Sequence, residues 1–243
     1  MDVLKKIKRV SIIIPSYNEA DTVGLLLDKI KDINLNSIDF EKEIILVDDG
    51  STDSTADIVK NYDIKVLKQS NKGKGAAVQN GIRNSSGEYI LVQDADLEYD
   101  PNDYIKMLKE IKNKNDIVYG SRILGNIKNK TSFFPGKSKN QSFLNYSFNL
   151  ILMLVYLIFF GKIITDSLTG YKIYPCSFFK NIKIYSKGFE ADHEITVNLL
   201  KQNYNIKEVG INYYPRSKKE GKKINSLDAL KALLTIIKFK FTN

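Results

Sequence analysis

Apolar positions along the chain follow two alternating rhythms as far as residue 119 and then change character. Runs dense in β-branched residues fall at 10–14 and 43–47, one closed by Pro15 and the other by Asp48-Asp49-Gly50. Both read as buried strands with loops at their carboxyl ends. Between them, Val23, Leu26, Leu27 and Ile30 recur at helical spacing within 20–31, with Asn18 or Asp21 as the expected cap. The series continues as a helix over 54–61, a strand over 64–67, a helix over 75–84, a strand over 89–93, a helix over 101–112 and a strand over 116–119. This alternation predicts an α/β, Rossmann-like, mostly parallel sheet flanked by helices, with ligands bound at the carboxyl ends of the strands.

Beyond Arg122 the rhythm is lost. Residues 124–140 are rich in Gly, Lys, Asn and Ser and read as a loop. Residues 143–160 have the highest apolar density, but Asn145, Ser147 and Asn149 interrupt the first part, and the unbroken run over 150–160 is too short to span a bilayer. Two readings stand: a buried core helix, or a helix lying in a membrane interface. Residues 226–241 place Leu227, Leu230, Leu233, Leu234 and Ile237 on one face, with Lys231, Lys238 and Lys240 elsewhere. This amphipathic segment is expected to be either packed or membrane-facing.

Composition narrows the class. With 243 residues, 43% of them hydrophobic, the chain can bury a full core. The single cysteine, Cys176, and single histidine, His193, exclude a disulfide framework and a zinc cluster, and suit a reducing cytosol. The charged first nine residues lack the apolar centre of a secretory signal, so export by that route is not expected. Charge is unevenly placed: residues 1–125 carry 18 Lys+Arg against 21 Asp+Glu, and residues 126–243 carry 19 against 7. The basic second half suggests a phosphate or a membrane surface as partner. Nucleic acid is not expected, because no nucleic-acid-binding motif accompanies the charge.

The candidate chemistry lies in carboxylates at strand ends. Asp48 can accept hydrogen bonds from a base or ribose, while Ser51 or Asp53 suits a helix cap. Asp94 and Asp96, two residues apart, can point the same way and share a hard cation, with Glu98 as a further ligand and Asp100 as a cap before the next helix. Lys72-Gly73-Lys74-Gly75 lacks phosphate-loop spacing, yet this turn can bring backbone NH groups and a lysine, Lys74, near a nucleotide.

Taken together, Ser11-Ile12-Ile13-Ile14-Pro15-Ser16-Tyr17-Asn18-Glu19, Val47 through Asp53, Asn71 through Gly75, Gln93-Asp94-Ala95-Asp96 and Tyr119-Gly120-Ser121-Arg122 resemble a family-2 glycosyltransferase of GT-A fold. Within it, Asp166 through Lys172, Gly188-Phe189-Glu190 through Glu194, Glu208-Val209, and Arg216 followed by Glu220 through Ile224 resemble dolichyl-phosphate mannose and glucose synthases and bacterial polyprenyl-phosphate relatives. The resemblance implies that Pro15, Tyr17 and Glu19 border the nucleotide and that Asp48 binds base or ribose. It implies that the Asp94-Ala95-Asp96 turn holds the diphosphate with Mg2+ or Mn2+, Glu98 lying by the metal. Arg122, Arg216 and Lys223 match basic positions beside the phosphates. Relatives carry arginines where this chain offers Lys137 and Lys139, and no segment matches the transmembrane helices that follow the catalytic domain in some of them.

The implied reaction is inverting transfer of a hexose from a UDP- or GDP-sugar. A hydroxyl acceptor requires a general base, with Glu194 or Asp192 as candidates. A lipid phosphate requires none, being already anionic near neutral pH, and needs cationic neighbours instead, for which Arg216, Lys218, Lys219, Lys222 and Lys223 lie close in sequence. His193 reads as packing or surface. The leading expectation is a polyprenyl-phosphate glycosyltransferase, peripheral on the cytoplasmic membrane face. Residues 1–125 would bind the donor and 126–243 the acceptor, within one globular domain. The alternatives are an enzyme that glycosylates a glycan or lipid-linked saccharide hydroxyl and a non-catalytic nucleotide-sugar binder.

Overall fold

The structure, a computed structural model, describes residues 7–129, 143–216 and 226–242. Through its first half the chain alternates as the periodicity predicts. Strand β1 (Lys8–Ser16) leads to helix α1 (Val23–Asp32), β2 (Phe40–Asp48) to α2 (Thr55–Ile58), β3 (Lys65–Lys68) to α3 (Lys74–Arg83), and β4 (Tyr89–Val92) to α4 (Asp103–Lys109). Strand β5 (Ile117–Ser121) runs directly into α5 (Arg122–Asn129). There follow α6 (Phe143–Phe160), β6 (Lys172–Pro175), α7 (Cys176–Lys180), α8 (Ala191–Lys201), β7 (Ile206–Gly210) and α9 (Ser226–Phe241).

Seven strands form one sheet in the order β3-β2-β1-β4-β6-β5-β7. All neighbours are parallel except that β6 runs antiparallel to both β4 and β5. Successive side chains of β1 alternate between two cores, as strand geometry requires. Val10, Ile12 and Ile14 pack with α1 and α4, while Ile13 joins α3, α6, α8 and α9. The mostly parallel sheet flanked by helices is therefore observed, and strands from the second half complete it.

Several local expectations need correction. Residues 122–129, expected in large part to be loop, are helical, because side chains satisfy the free NH groups of that helix's first turn. Asp166 Oδ2 accepts from Arg122 N at 2.9 Å and Ser121 Oγ from Leu124 N at 3.1 Å. Gly125 there is no breaker, since its missing Cβ lets α5 lie against the Ile211 carbonyl. The rest of the expected loop lies outside the described residues. The helix expected over 54–61 is one α-turn followed by a 3₁₀ turn over Val59–Asn61. Neither Asn18 nor Asp21 caps α1, whose N-cap residue is Thr22 with no side-chain cap bond.

Helix α6 resolves the choice between core and surface by taking both sides. Leu152 and Tyr156 are fully buried, whereas Ile151, Leu154, Leu157 and Ile158 are exposed. In α9, Ala232 and Ile236 face the core while Leu230, Leu234 and Ile237 of the expected apolar stripe point outward with Phe241. The two helices touch through the rings of Phe159 and Phe241, 6.1 Å apart, and through Lys240 Nζ donating to the Phe159 carbonyl at 2.7 Å. Among the described residues, no helix is long and apolar enough to cross a membrane.

Candidate active site

The loops at the carboxyl ends of β1 and β2 are bound to each other, which fixes the first wall. Asn18, held at φ 52°, donates its N–H to Ser51 Oγ at 3.0 Å and accepts from Thr52 N at 2.8 Å. Asp53 accepts from Thr55 N and from Ala20 N, but the N-cap residue of α2 is Ser54 with no side-chain cap bond, and Ser51 serves Asn18 instead. Pro15 and Tyr17 are half-buried on this wall and Glu19 is buried. Asp48, also buried, has Oδ1 fixed by Ser51 N at 2.9 Å.

Asp49, which sequence reasoning did not single out, holds the Lys72-Gly73 turn. Its carboxylate accepts from Gln69 Nε2 at 2.7 Å, Lys72 N at 2.9 Å and Gly73 N at 2.8 Å. Two of the backbone NH groups expected to be offered to a phosphate, those of Lys72 and Gly73, are thus already taken. Gly73, at φ 93°, turns the chain into α3 and so delivers Lys74 to the site. Asp49→Ala strands these three donors, so about 2–3 kcal/mol of stability is expected to be lost. A fall in the urea midpoint checks it.

At the end of β4, each carboxylate of the Asp94-Ala95-Asp96 turn is matched with a cation. Lys74 Nζ lies 2.6 Å from Asp94 Oδ1, and Arg216 NH2 lies 2.9 Å from Asp96 Oδ2. Arg216 also reaches Glu19 Oε2 at 3.1 Å, and its Nε is buried with no hydrogen-bond partner among the described residues. Burial lowers the Lys74 pKa, but Asp94 and Asp192 more than offset that, so it stands above the ordinary lysine value. Asp96 is pushed up to about 7 by burial first and then by repulsion from Asp94 and Glu98. Gly170 closes over the pair; a Cβ there would come within 2.8 Å of Asp94 Oδ2 and 3.0 Å of Lys74 Nζ. Ala95 is buried beneath the turn.

Glu98 is engaged elsewhere. It accepts from Tyr213 OH at 2.6 Å and from Arg216 N at 2.7 Å, anchoring the segment that carries Arg216. Among the described residues no cluster of three metal-ligating side chains occurs. Two carboxylates nevertheless fit Mg2+ or Mn2+, which are commonly held by one or two protein carboxylates together with substrate phosphates and water.

The remaining expected residues divide. Arg122 forms a fork with Asp166, Nε to Oδ2 and NH2 to Oδ1 both at 2.7 Å, and its guanidinium stacks 4.9 Å from the centre of the Tyr213 ring. Glu208 fixes Asp166 in turn, accepting from Thr165 N at 2.8 Å and Asp166 N at 3.1 Å. Asp192 is partly exposed and lies 3.6 Å from the buried Lys172 ammonium. Glu194 is fully buried, with its two oxygens accepting from Tyr185 N at 2.8 Å and Ser186 N at 2.7 Å. His193 is buried against Tyr156 OH, and burial first, then Lys172, pulls its pKa down to about 3, so it is neutral at ordinary pH. Lys137, Lys139, Lys218, Lys219, Lys222 and Lys223 lie outside the described residues. Asp166 stood within a recognised motif, but its grip on Arg122 depends on a contact 44 residues away in sequence.

Comparison with known proteins identifies the family. A dolichyl-phosphate beta-glucosyltransferase of Dictyostelium discoideum is 34% identical over 84% of the chain and 65% of its own length. A dolichol-phosphate mannosyltransferase of Pyrococcus furiosus is 31% identical over 88% of the chain and 59% of its own length. The chain thus spans less than two thirds of either relative. Glucosyl-3-phosphoglycerate synthase of Mycobacterium tuberculosis, solved with Mn2+, UDP-glucose and phosphoglyceric acid, superposes with a TM-score of 0.69 at 15% identity, over 96% of this chain and 80% of that one. That likeness shows the fold, which is GT-A. The sequence pattern of glycosyl transferase family 2 matches residues 11–180, and the chain belongs to that family.

Proposed function

We propose that the chain transfers a hexose from a UDP- or GDP-sugar to a polyprenyl phosphate at the cytoplasmic face of a membrane. The observation that carries the donor side is the Asp94–Asp96 turn with Lys74 and Arg216 held against it. Pro15, Tyr17 and Glu19 border the nucleotide, and Asp48, oriented by Ser51, binds base or ribose. Asp94 and Asp96 hold Mg2+ or Mn2+, which when bound neutralises the diphosphate leaving group. Lys74 and Arg216 exchange their carboxylate partners for phosphate oxygens, and Arg216 Nε, unpaired among the described residues, supplies a further donor. A phosphate oxygen of the acceptor attacks the anomeric carbon as the bond to the diphosphate oxygen breaks. The electron pair leaves on the nucleotide diphosphate, and the configuration inverts.

The acceptor side follows from the candidate bases. Both oxygens of Glu194 are committed to backbone donors, and Asp192 is drawn toward Lys172. This favours an acceptor that needs no deprotonation, as a phosphate monoester with a second pKa of about 6 does not. Purified protein is to be incubated with Mn2+, radiolabelled UDP-glucose or GDP-mannose, and either polyprenyl phosphate or saccharide acceptors. Label is expected in an acid-labile lipid; label only in saccharide overturns the acceptor assignment.

Membrane contact is proposed through the exposed apolar residues of α6 and α9, whose neighbours include Lys238. Ile158→Asp and Leu234→Asp are each expected to weaken flotation with anionic vesicles by roughly tenfold, the scale of losing one buried apolar side chain. Nucleotide affinity is expected to stay unchanged in both.

The raised Asp96 pKa gives a pH dependence. A carboxyl whose folded pKa lies above its unfolded value contributes stability below the unfolded pKa and loses it as pH rises through the folded value, here about 7. A cation favours the ionised form, so the rise in Tm produced by Mn2+ is expected to be larger at pH 8 than at pH 6. Calorimetry at the two pH values measures it.

A further inference from the structure

Lys172 has no place in the transfer step described above, yet it is a fully buried ammonium beside the site. Its position on β6 is opposite Val92 of β4 on one side and Tyr119 of β5 on the other, and β4 continues two residues later into Asp94. Burying an ammonium among sheet side chains is costly unless the charge is met. Three things meet it: the Ser167 carbonyl at 3.2 Å, the face of the Tyr119 ring with its centre at 4.8 Å, and Asp192 at 3.6 Å. Asp192 is the one partner with access to solvent, its side chain being 23% exposed. It also acts on Lys74, as one of the two carboxylates that raise that lysine's pKa. Two ion pairs thus stand between the donor turn and the start of α8: Lys74 with Asp94 at 2.6 Å and Lys172 with Asp192 at 3.6 Å.

From this arrangement we infer that Lys172 is a positioning residue, fixing Asp192 so that its open edge accepts hydrogen bonds from hydroxyl groups of the transferred sugar. The inference rests on the glycosyl-transfer reading. A carboxylate is an acceptor only, and hydroxyl groups are its natural donors. Held by an ammonium on its buried side, it keeps one orientation. Lys74 is paired with Asp94 at the diphosphate turn, whereas Lys172 is paired with Asp192. Sugar contact is thereby separated from diphosphate contact.

Calorimetric titration in Mn2+ tests the separation, with UDP-glucose compared with UDP and GDP-mannose with GDP. Lys172→Met is expected to weaken the nucleotide sugar about tenfold, the loss of one charge-assisted contact, while leaving the nucleoside diphosphate unchanged. Lys172→Arg is expected to restore most of that loss. Asp192→Asn is expected to show the same sugar-selective loss, and the double variant to be no worse than Asp192→Asn alone, as coupled partners require. Equal weakening of sugar-bearing and sugar-free nucleotide, or no change in a folded Lys172→Met protein, overturns the inference. If Lys172→Met fails to fold, Asp192→Asn decides at its partly exposed position, and loss of nucleoside diphosphate affinity there is the contrary result. Wild-type protein that binds UDP or GDP but neither nucleotide sugar overturns this inference along with the reading beneath it.

Discussion

Asp96→Asn is expected to lower glycosyl transfer by about 10³-fold, the scale of removing one preorganised electrostatic contact at a transferring group, and at pH 8 to raise the Tm. The two effects have one cause. Asp96 is buried with Asp94 and Glu98 close by, and these push its pKa up to about 7. Ionised at pH 8, it therefore costs the fold stability, and the amide removes that charge while keeping the shape. A carboxylate retained against its own stability is explained by a ligand that needs it. Were Asp96 present only to anchor Arg216, the substitution would leave Arg216 with Glu19 alone, and the Tm would fall. Scanning calorimetry and a radiolabel transfer assay on one preparation separate the two accounts.

Arg216→Met is expected to act in opposite directions on two measurements. Transfer falls about 10²-fold, because a cation beside the diphosphate is lost. Affinity for Mn2+ without nucleotide rises roughly tenfold, within the usual range of coupling between two sites. The rise follows from the geometry: the guanidinium bridges Glu19 and Asp96 at 3.1 and 2.9 Å and competes with any cation for that carboxylate. Its anchor is firm, since the Arg216 N–H is held by Glu98 and Tyr214 N donates to the Glu98 carbonyl at 2.9 Å. Room-temperature EPR of free Mn2+ reads the affinity directly. Unchanged Mn2+ affinity would mean that Arg216 does not compete for the site.

Much of the fold around the Asp94–Asp96 turn was legible in the sequence because it is local. Strand periodicity placed 10–14, 43–47 and 89–93, and the carboxylates followed at strand ends by simple counting. What could not be read was partnership. Asp49 looked equivalent to its neighbour Asp48, and only the fold shows that it holds the Lys72-Gly73 turn. Glu98 lay at metal-ligand spacing, yet Tyr213 and Arg216 meet it across 115 and 118 residues of chain. The second half was less legible for a related reason. Strand β6 is four residues long and carries a buried lysine and a proline, so no apolar rhythm announces it. In α9 the apolar stripe was visible, but only packing decides that Leu230 and Leu234 turn outward while Ala232 and Ile236 turn inward.

The proposed donor site is tested most directly by a crystal structure with Mn2+ and UDP or GDP, phased to show manganese by its anomalous signal. The predicted result is a manganese peak shared by Asp94, Asp96 and the diphosphate, with Arg216 withdrawn from Asp96 and Lys74 turned from Asp94. A nucleotide bound with both ion pairs intact, or manganese seated away from these two carboxylates, would contradict the account.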